Sequence, residues 1–211
     1  VRPIRIMSEP NKNSFNSNYS LWPRENPEFV GHERAVKLLI DSYSKECVPN
    51  AWIISGPKGV GKASLAYRFS RFLLSSKLKD KVREKRGGDP LWVSPESIVF
   101  KSIASNSHSD LLTIDGSVND REKERGSIGI EDIRKIGRFY SKTSAQSGWR
   151  IVIIDSLDNL TVNASNALLK NLEEPPQKGL LLLISHNPAS LLPTISSRCR
   201  KLPLSYLTQN Q

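Results

Sequence analysis

The sequence is poor in cysteine and has no long apolar run. Its two cysteines, Cys47 and Cys199, show no metal-ligand spacing and are too few for a disulfide framework, so we expect a reduced, cytoplasmic setting. No apolar stretch approaches the roughly 18 residues that span a bilayer, and no secretory leader is recognisable after Val1, so we expect no membrane partner. The hydrophobic content of 37% suits one large α/β domain with polar loops.

Acidic residues are also scarce relative to basic ones, 21 against 31, and the 211-residue chain has a formal net charge of +10. Such a balance is typical of proteins that bind nucleic acid. However, residues 77–86 alone contain six basic and two acidic residues, which a solvated charged segment explains equally well. Both interpretations stay open.

A glycine-rich stretch, SGPKGVGKAS from Ser55 to Ser64, lies between a short apolar run and an apolar-periodic helix. Its spacing fits a phosphate-binding loop. In such loops the glycines let backbone N–H groups surround a polyphosphate, the next helix adds the positive end of its dipole, and the lysine reaches the outer phosphates. The residues predicted to bind nucleotide here are Gly56, Lys58, Gly59, Gly61, Lys62, Ala63 and Ser64.

The loop departs from the full pattern at Ala63, where a Ser or Thr hydroxyl ordinarily ligates Mg²⁺. Ser64 comes one position later, about 100° further round a helix of 3.6 residues per turn, and cannot simply replace it. The sequence therefore leaves two alternatives. The loop binds ATP or ADP without efficient hydrolysis, or it is a structural turn that binds nothing.

A second departure follows the apolar run that ends at Asp155. Phosphate-loop hydrolases place an acidic residue there to hold Mg²⁺ through water, and Asp155 is predicted to belong to the nucleotide site. The next position, where many such ATPases carry the glutamate that positions the attacking water, is Ser156, and Asp158 lies two residues further on. We therefore expect little or no hydrolysis by this chain alone.

Apolar runs typical of buried parallel strands alternate with helical patterns along the chain. We predict strands at residues 51–55, 110–115, 150–155, 180–185 and 200–204, and helices that begin near 32, 65 and 130 or cover 163–174 and 188–196. This order favours a doubly wound α/β fold, a five-stranded parallel sheet with helices on both faces. Residues 1–28 are predicted to form an N-terminal arm, and residues from about 75 to 110 an insertion of unassigned structure in the domain 29–211.

Four segments in order resemble the AAA+ clamp-loader subunits of the bacterial replicative DNA polymerase III. They are GIEDIR at 129–134, WRIVIID at 149–155, NALLKNLEEPP at 166–176 and LPTISSRC at 192–199. The resemblance covers roughly residues 29–204. Within this family, the loss of both catalytic elements resembles the delta-prime subunits, the non-motor members, and not the gamma/tau motors.

The resemblance implies an accessory, non-hydrolysing stator of a nucleotidyltransferase holoenzyme. Its partners would be the gamma/tau motors and delta, the sliding clamp indirectly, and primed DNA through the assembly. Arg198, in the Ser-Arg-Cys motif, would act in trans as an arginine finger on a neighbour's ATP, since a guanidinium fork matches phosphate oxygens. The alternative from the residues alone is an arginine held by a helix C-terminus or a local carboxylate.

Further expectations concern single residues and domains. The polar cluster Ser185-His186-Asn187 lies where the family senses the γ-phosphate, with Ser185 and Asn187 as the sensor-like residues, although a polar strand-to-helix turn explains it equally well. His32 lies near the expected adenine pocket. Family members often carry a four-cysteine zinc module, but no cysteine lies between positions 48 and 198, so we expect no zinc and no other metal. We also expect the helical lid and collar domains of the family to lie outside this chain.

Two other functions compete with the stator. One is an ATP-hydrolysing motor of the same superfamily that uses Ser64 and Asp158 in unusual roles, and the residues Ala63 and Ser156 argue against it. The other is a nucleotide-binding regulatory module outside replication, against which the ordered motifs argue.

Overall fold

The computed structural model describes residues 22–75, 89–116, 126–142 and 148–207. The basic run at 77–86 and residues 1–21 of the predicted arm lie outside these ranges. The described helices are α1 (Glu33–Ser44), α2 (Lys62–Leu74), α3 (Ile98–Ala104), α4 (Ile130–Tyr140), α5 (Val162–Glu173) and α6 (Pro193–Ser196). The described strands are β1 (Ala51–Ser55), β2 (Leu111–Asp115), β3 (Arg150–Asp155), β4 (Gly179–Ser185) and β5 (Arg200–Pro203).

The five strands form one parallel sheet in the order β2-β3-β4-β1-β5. The predicted fold class, a five-stranded parallel sheet with helices on both faces, is therefore confirmed. Because the strands are parallel, all their carboxyl ends lie at one edge of the sheet, and ligands bind at that edge in open α/β sheets.

Alternating side chains of the strands divide the core into two layers, as the two-residue period requires. Trp52 and Ile54 of β1 pack in one layer with α1, α2 and α3. Ile53 of the same strand packs in the other layer with α4 and α5. The central strand β4 is buried along its whole length, which explains its uninterrupted apolar sequence.

The described part of the predicted insertion belongs to the core. α3 begins after Ser97, whose side chain accepts a hydrogen bond from the N–H of Phe100. It buries Val99 and Ile103 in the layer that contains α2, and the ring of Phe100 is buried under the guanidinium of Arg71 on α2. Leu91 adds to the same layer and is 1% exposed. The sequence interpretation missed this helix because only seven residues form it, too few to show a sustained period.

Helix α2 is buried on all sides and not along a single stripe. Two of its arginines, Arg68 and Arg71, are 3% and 2% exposed. They bind other segments of the same chain that lie beside the helix. Arg68 forms an ion pair with Asp89 and donates to the carbonyl of Pro27, and Arg71 donates to the carbonyl of Asn26 at 2.9 Å. The last residues of the predicted arm are thus fixed beside the helix that follows the phosphate loop.

The helix predicted over 188–196 is two shorter pieces, a 3₁₀ turn at Pro188–Ser190 and the helix α6. The break lies at Leu192, which has an extended ψ of 131°. The ring of Pro193 disfavours the helical conformation of the residue before it, so a single helix cannot pass this point.

Candidate functional site: the phosphate loop and the edge that carries Arg198

The phosphate loop connects the carboxyl end of β1 to the first turn of α2, where the sequence placed it. Gly56 has a φ of 147°, and a Cβ atom on it would lie 2.2 Å from the carbonyl oxygen of Leu204. Only glycine fits this approach of the chain that follows β5, because a Cβ would overlap with backbone. Gly61 is the N-cap of α2 in a left-handed conformation, so the first N–H groups of the helix open toward the loop.

The side chain of Lys62 lies across its own loop. Its Nζ donates to the carbonyl oxygens of Gly56 at 2.7 Å and of Pro57 at 2.5 Å, and the residue is 4% exposed. Burial lowers the pKa of Lys62 from its ordinary value, although the carboxylates of Asp155 and Asp158 oppose that shift. Two of the three N–H donors of this ammonium are thus used by carbonyl groups of its own loop.

Beside the loop lies a cavity of about 350 Å³. It is lined by Pro23, Gly59, Gly61, Lys62, Ala63, Ser64, Asp155, Ile184 and His186. A second cavity, of about 400 Å³, shares Gly59, Gly61 and Ser64 with the first. Its other lining residues are Asn26, Glu28, Phe29, Val30, Val60, Tyr206 and Leu207. The first cavity therefore contains Lys62 and Asp155, and the second combines apolar side chains with the carboxylate of Glu28.

Lys58 and His32 are predicted near the nucleotide, but neither of them lines a cavity. Lys58 is exposed and lines neither cavity. His32 also lines neither cavity, and its Nε2 lies 2.9 Å from the carbonyl oxygen of Val60. This contact gives His32 a structural role, holding the start of α1 on the phosphate loop.

The Mg²⁺ that the loop type implies finds a poor donor set here. Mg²⁺ requires near-octahedral oxygen ligands and in these sites takes a carboxylate, a hydroxyl and phosphate oxygens. The cavity offers the carboxylate of Asp155, but Ala63 presents a methyl group where the hydroxyl belongs, and Ser64 lies at the junction with the second cavity. Burial raises the pKa of Asp155, as does Asp115, against opposing effects of His186 and Lys62. The residues present therefore do not fit a Mg²⁺ site.

The carboxylate of Asp158 is occupied by hydrogen bonds within the domain. It accepts from the hydroxyls of Ser156 and Ser185, each at 2.8 Å, and from the backbone N–H groups of His186 at 2.6 Å and Asn187 at 3.2 Å. Burial alone would raise the pKa of Asp158, but these hydrogen bonds outweigh it and hold the pKa below its ordinary value. Asp158 ties the chain after β3 to the end of β4.

The predicted sensor residues take part in this network. Ser185 is fully buried and its hydroxyl bonds to Asp158, while Asn187 is exposed and contributes its backbone N–H. Neither lines the phosphate cavity, whereas His186 between them does. The sequence placed His186 in the same polar cluster but did not single it out as a site residue. Its position directly after an apolar strand, beside two residues already singled out, was the available signal.

Arg198 lies between α6 and β5, and its position follows from the register of the sheet. β5 runs parallel to β1, with Arg200 paired to Trp52 at the start of both strands. The phosphate loop follows the other end of β1, four residues or about 13 Å further along at 3.3 Å per residue. Arg198 therefore lies at the amino-end edge of the sheet, away from the phosphate loop of its own chain.

The contacts of Arg198 are all at the surface. Its side chain is 39% exposed and pairs with Glu173, 50% exposed, at 2.8 Å. It also donates to the carbonyl oxygen of Thr194 at 3.0 Å. Both features of the alternative interpretation, a local carboxylate and a helix carbonyl, are thus present, and the guanidinium is still accessible to a neighbour.

Two further findings on the described ranges concern membrane spans and metal sites. None of their helices combines the length and the apolar character that a bilayer crossing needs. Within them no group of three or more His, Cys, Asp or Glu side chains is arranged to hold a metal ion.

Comparisons with known proteins give the family. The family model described as "DNA polymerase III, delta subunit" matches residues 31–208. The chain is 33% identical to DNA polymerase III subunit delta' of Pseudomonas aeruginosa over 71% of its own length and 41% of that protein. It is 34% identical to subunit delta' of Bacillus subtilis over 82% and 47%, and 28% identical to subunit tau of Bacillus subtilis over 92% and 32%.

Among solved structures, the chain resembles a DNA polymerase III gamma subunit-related protein of Thermotoga maritima. The TM-score is 0.52 at 23% identity, over 84% of this chain and 46% of that one. The RuvB Holliday junction branch migration motor of the same organism gives 0.50 at 17% identity, over 89% and 50%. These neighbours show the AAA+ phosphate-loop fold. The chain spans less than half the length of the curated relatives named above. Because the family model matches most of its residues, the chain belongs to the DNA polymerase III delta-subunit family.

Proposed function

We propose that this chain is the AAA+ domain of a non-hydrolysing stator subunit of a clamp loader, which helps to place the sliding clamp on primed DNA. In this proposal Arg198 is offered in trans to the ATP site of a neighbouring motor subunit. The names of the relatives, subunits delta', tau and gamma of DNA polymerase III, support a clamp-loader assembly. Motor subunits of the gamma/tau type and delta would be the direct partners, in the cytoplasm and away from membranes.

The observation that carries the proposal is the state of Asp158. It is the first carboxylate after Ser156, the position of the missing catalytic glutamate, and four hydrogen bonds from residues 156, 185, 186 and 187 engage both of its oxygens. A carboxylate so engaged has no free lone pair directed at an attacking water. Together with the methyl group of Ala63, this leaves the domain without either catalytic element.

The place of Arg198 supports the action in trans. Its edge of the sheet is opposite to its own phosphate loop, as the parallel pairing of β1 and β5 requires. An exposed guanidinium retains its charge and its fork of donors, and a weak surface pair with Glu173 can be exchanged for a phosphate at little cost. We propose that the neighbour's γ-phosphate makes this exchange.

Two alternatives fit less well. A motor that uses Asp158 would have to break the hydrogen bonds that join β3 to β4, and Ser64 lies where the two cavities meet and not at the Mg²⁺ position. A regulatory module outside replication would leave unexplained the match of the family model to 178 residues in one stretch, residues 31–208.

The test uses the full-length protein in a clamp-loader assembly reconstituted with motor subunits, clamp and primed DNA. Arg198→Ala should slow turnover at the adjacent motor site by on the order of 10³-fold and impair clamp loading, and Arg198→Lys should restore little because it lacks the bidentate fork. Arg138→Ala, which removes an exposed arginine on α4, should leave both rates unchanged.

Two results would overturn the proposal. In one, Arg198→Ala leaves ATPase and loading intact. In the other, the protein alone hydrolyses ATP at about one turnover per second or faster, an ordinary enzymatic rate.

A further inference from the structure

Two consecutive carboxylates end the helix α5. Glu173 is its last residue and Glu174 follows as the C-cap, and both are exposed. The carboxyl end of a helix carries partial negative charge and favours cations, so neither carboxylate stabilises α5 from this place. The helix itself therefore gives no reason for a negative charge at position 173.

Glu173 is instead the partner of Arg198. Nη2 of Arg198 lies 2.8 Å from Oε1 of Glu173, and Nη1 donates to the carbonyl oxygen of Thr194 at 3.0 Å. Both terminal nitrogens, which give a guanidinium its fork toward phosphate oxygens, thus have acceptors within this chain. A phosphate that approaches the fork meets the Glu173 carboxylate beside the same Nη2, and two anions at such a place repel each other.

We propose that Glu173 is a positioning residue that holds Arg198 until the γ-phosphate of the neighbouring subunit's ATP replaces it. The proposal rests on the function proposed above, the action of Arg198 in trans. It adds a competition between two anions for one guanidinium, and this competition sets how much ATP the adjacent motor site needs. A triphosphate carries more negative charge than a single carboxylate and therefore prevails when it is bound in place.

The surroundings of the pair allow this exchange. The side chains of Arg198 and Glu173 are 39% and 50% exposed, and an ion pair in such contact with water favours its closed form only up to about fivefold. Lys170 is exposed on α5 one turn before Glu173, at the i,i+3 spacing where oppositely charged side chains meet. The released carboxylate therefore has a second cation on its own helix, and no buried charge is left unpaired.

The experiment measures the ATPase rate against ATP concentration in the reconstituted assembly, with the full-length protein and only the adjacent motor site competent for hydrolysis. Glu173→Gln keeps the shape of the side chain and removes its charge. We expect KM to fall about two- to fivefold, the range that an exposed ion pair spans. The kcat should stay within about 1.5-fold, because saturating ATP has already displaced the carboxylate. In the Arg198→Ala background the same substitution should change neither constant, since Glu173 acts only through the guanidinium.

Glu174→Gln is the matched control. It removes an exposed carboxylate from the same helix end, one residue from Glu173, and should leave KM unchanged. Each of the two substitutions should shift the Tm of the protein alone by less than about 2 °C, as changes of exposed side chains do.

Three results would overturn the proposal. Glu173→Gln leaves KM unchanged in an assembly that Arg198→Ala slows, or it lowers kcat as Arg198→Ala does, or Glu174→Gln produces the same fall in KM. The second result would make Glu173 part of the active arrangement, and the third would show a general effect of charge. An assembly that Arg198→Ala does not slow would instead refute the function proposed above, and the competition at Glu173 with it.

Discussion

Replacing Asp158 by asparagine tests whether this carboxylate holds the domain together or serves catalysis. Each of its oxygens accepts one hydroxyl and one backbone N–H. Oδ1 takes those of Ser185 and Asn187, and Oδ2 those of Ser156 and His186. An asparagine side chain of the same shape puts an NH₂ group at one of these two places. One backbone N–H then faces a donor, whichever way the amide is turned.

The cost follows from the bonds lost. A buried donor without its acceptor costs about 1–3 kcal/mol, and hydrogen bonds to a charged group contribute more than neutral ones. The Asp158 side chain is 17% exposed, so water offsets only part of this loss. We expect Asp158→Asn to lower the free energy of unfolding by about 3 kcal/mol, which for a domain of this size lowers Tm by about 6–12 °C.

The assay is thermal and urea unfolding followed by circular dichroism between pH 7 and pH 3. The pKa of Asp158 lies below its ordinary value in the folded protein, so its contribution to stability is complete above the unfolded pKa of about 3.9. This contribution is lost as the pH falls through the folded pKa. The difference between the wild type and Asp158→Asn should therefore be constant near neutral pH and shrink below about pH 4.

Asp155→Asn is the matched control, because burial raises the pKa of that carboxyl group. The charged form is disfavoured in the fold, and its neutral replacement should leave stability at pH 7 equal or higher. If Asp158→Asn shifts Tm by less than about 2 °C, the network contributes little and the argument against a motor fails. Loss of a measurable ATPase activity in the same variant would then favour the motor.

The remaining predictions concern the core and the metal content. Phe100→Ala should cost about 3–5 kcal/mol in unfolding free energy, since Phe100 is 6% exposed and its ring lies 4.5 Å from the guanidinium of Arg71 on α2. Ile98→Ala, at 81% exposure on the same helix, should cost less than about 1 kcal/mol. Equal effects would place α3 outside the core. Elemental analysis of the purified protein should find no stoichiometric zinc, because two cysteines far apart in sequence cannot supply the usual four ligands, and one zinc per chain would contradict this.

The parallel sheet could be predicted almost completely from the sequence. Its strands are buried on both faces, so they appear as apolar runs whose bounds agree with the structure to within a residue, as at Ala51–Ser55 and Arg150–Asp155. The helices α1, α4 and α5 show their apolar period for the same reason. The helix α3 could not be found in this way, since it is only seven residues long and its burial depends on contacts with α2, among them the buried Arg71 over Phe100, which looks like a surface residue in the sequence.

At the candidate site, the sequence predicts which groups are missing more reliably than it predicts what the others do. Ala63 and Ser156 can be identified by position in the motif alone. In contrast, Asp158 accepts hydrogen bonds from Ser185 and from the backbone of His186 and Asn187 only because β3 and β4 pair side by side. Residues 27 or more apart in sequence meet there, and a pattern read along the chain does not contain that contact.

The phosphate loop and Arg198 differ in how far the fold itself requires their residues. Gly56 is required by the carbonyl of Leu204 2.2 Å from its missing Cβ, and Lys62 fills its own loop by bonding to two carbonyls. Folding therefore needs much of the phosphate-loop motif whether or not hydrolysis occurs, and the motif alone is weak support for catalysis. Arg198 is exposed, and its pair with Glu173 contributes at most about 1 kcal/mol, so the fold gains little from its charge or from its place at that edge. A partner's phosphate would explain both, which makes Arg198 the better guide to function.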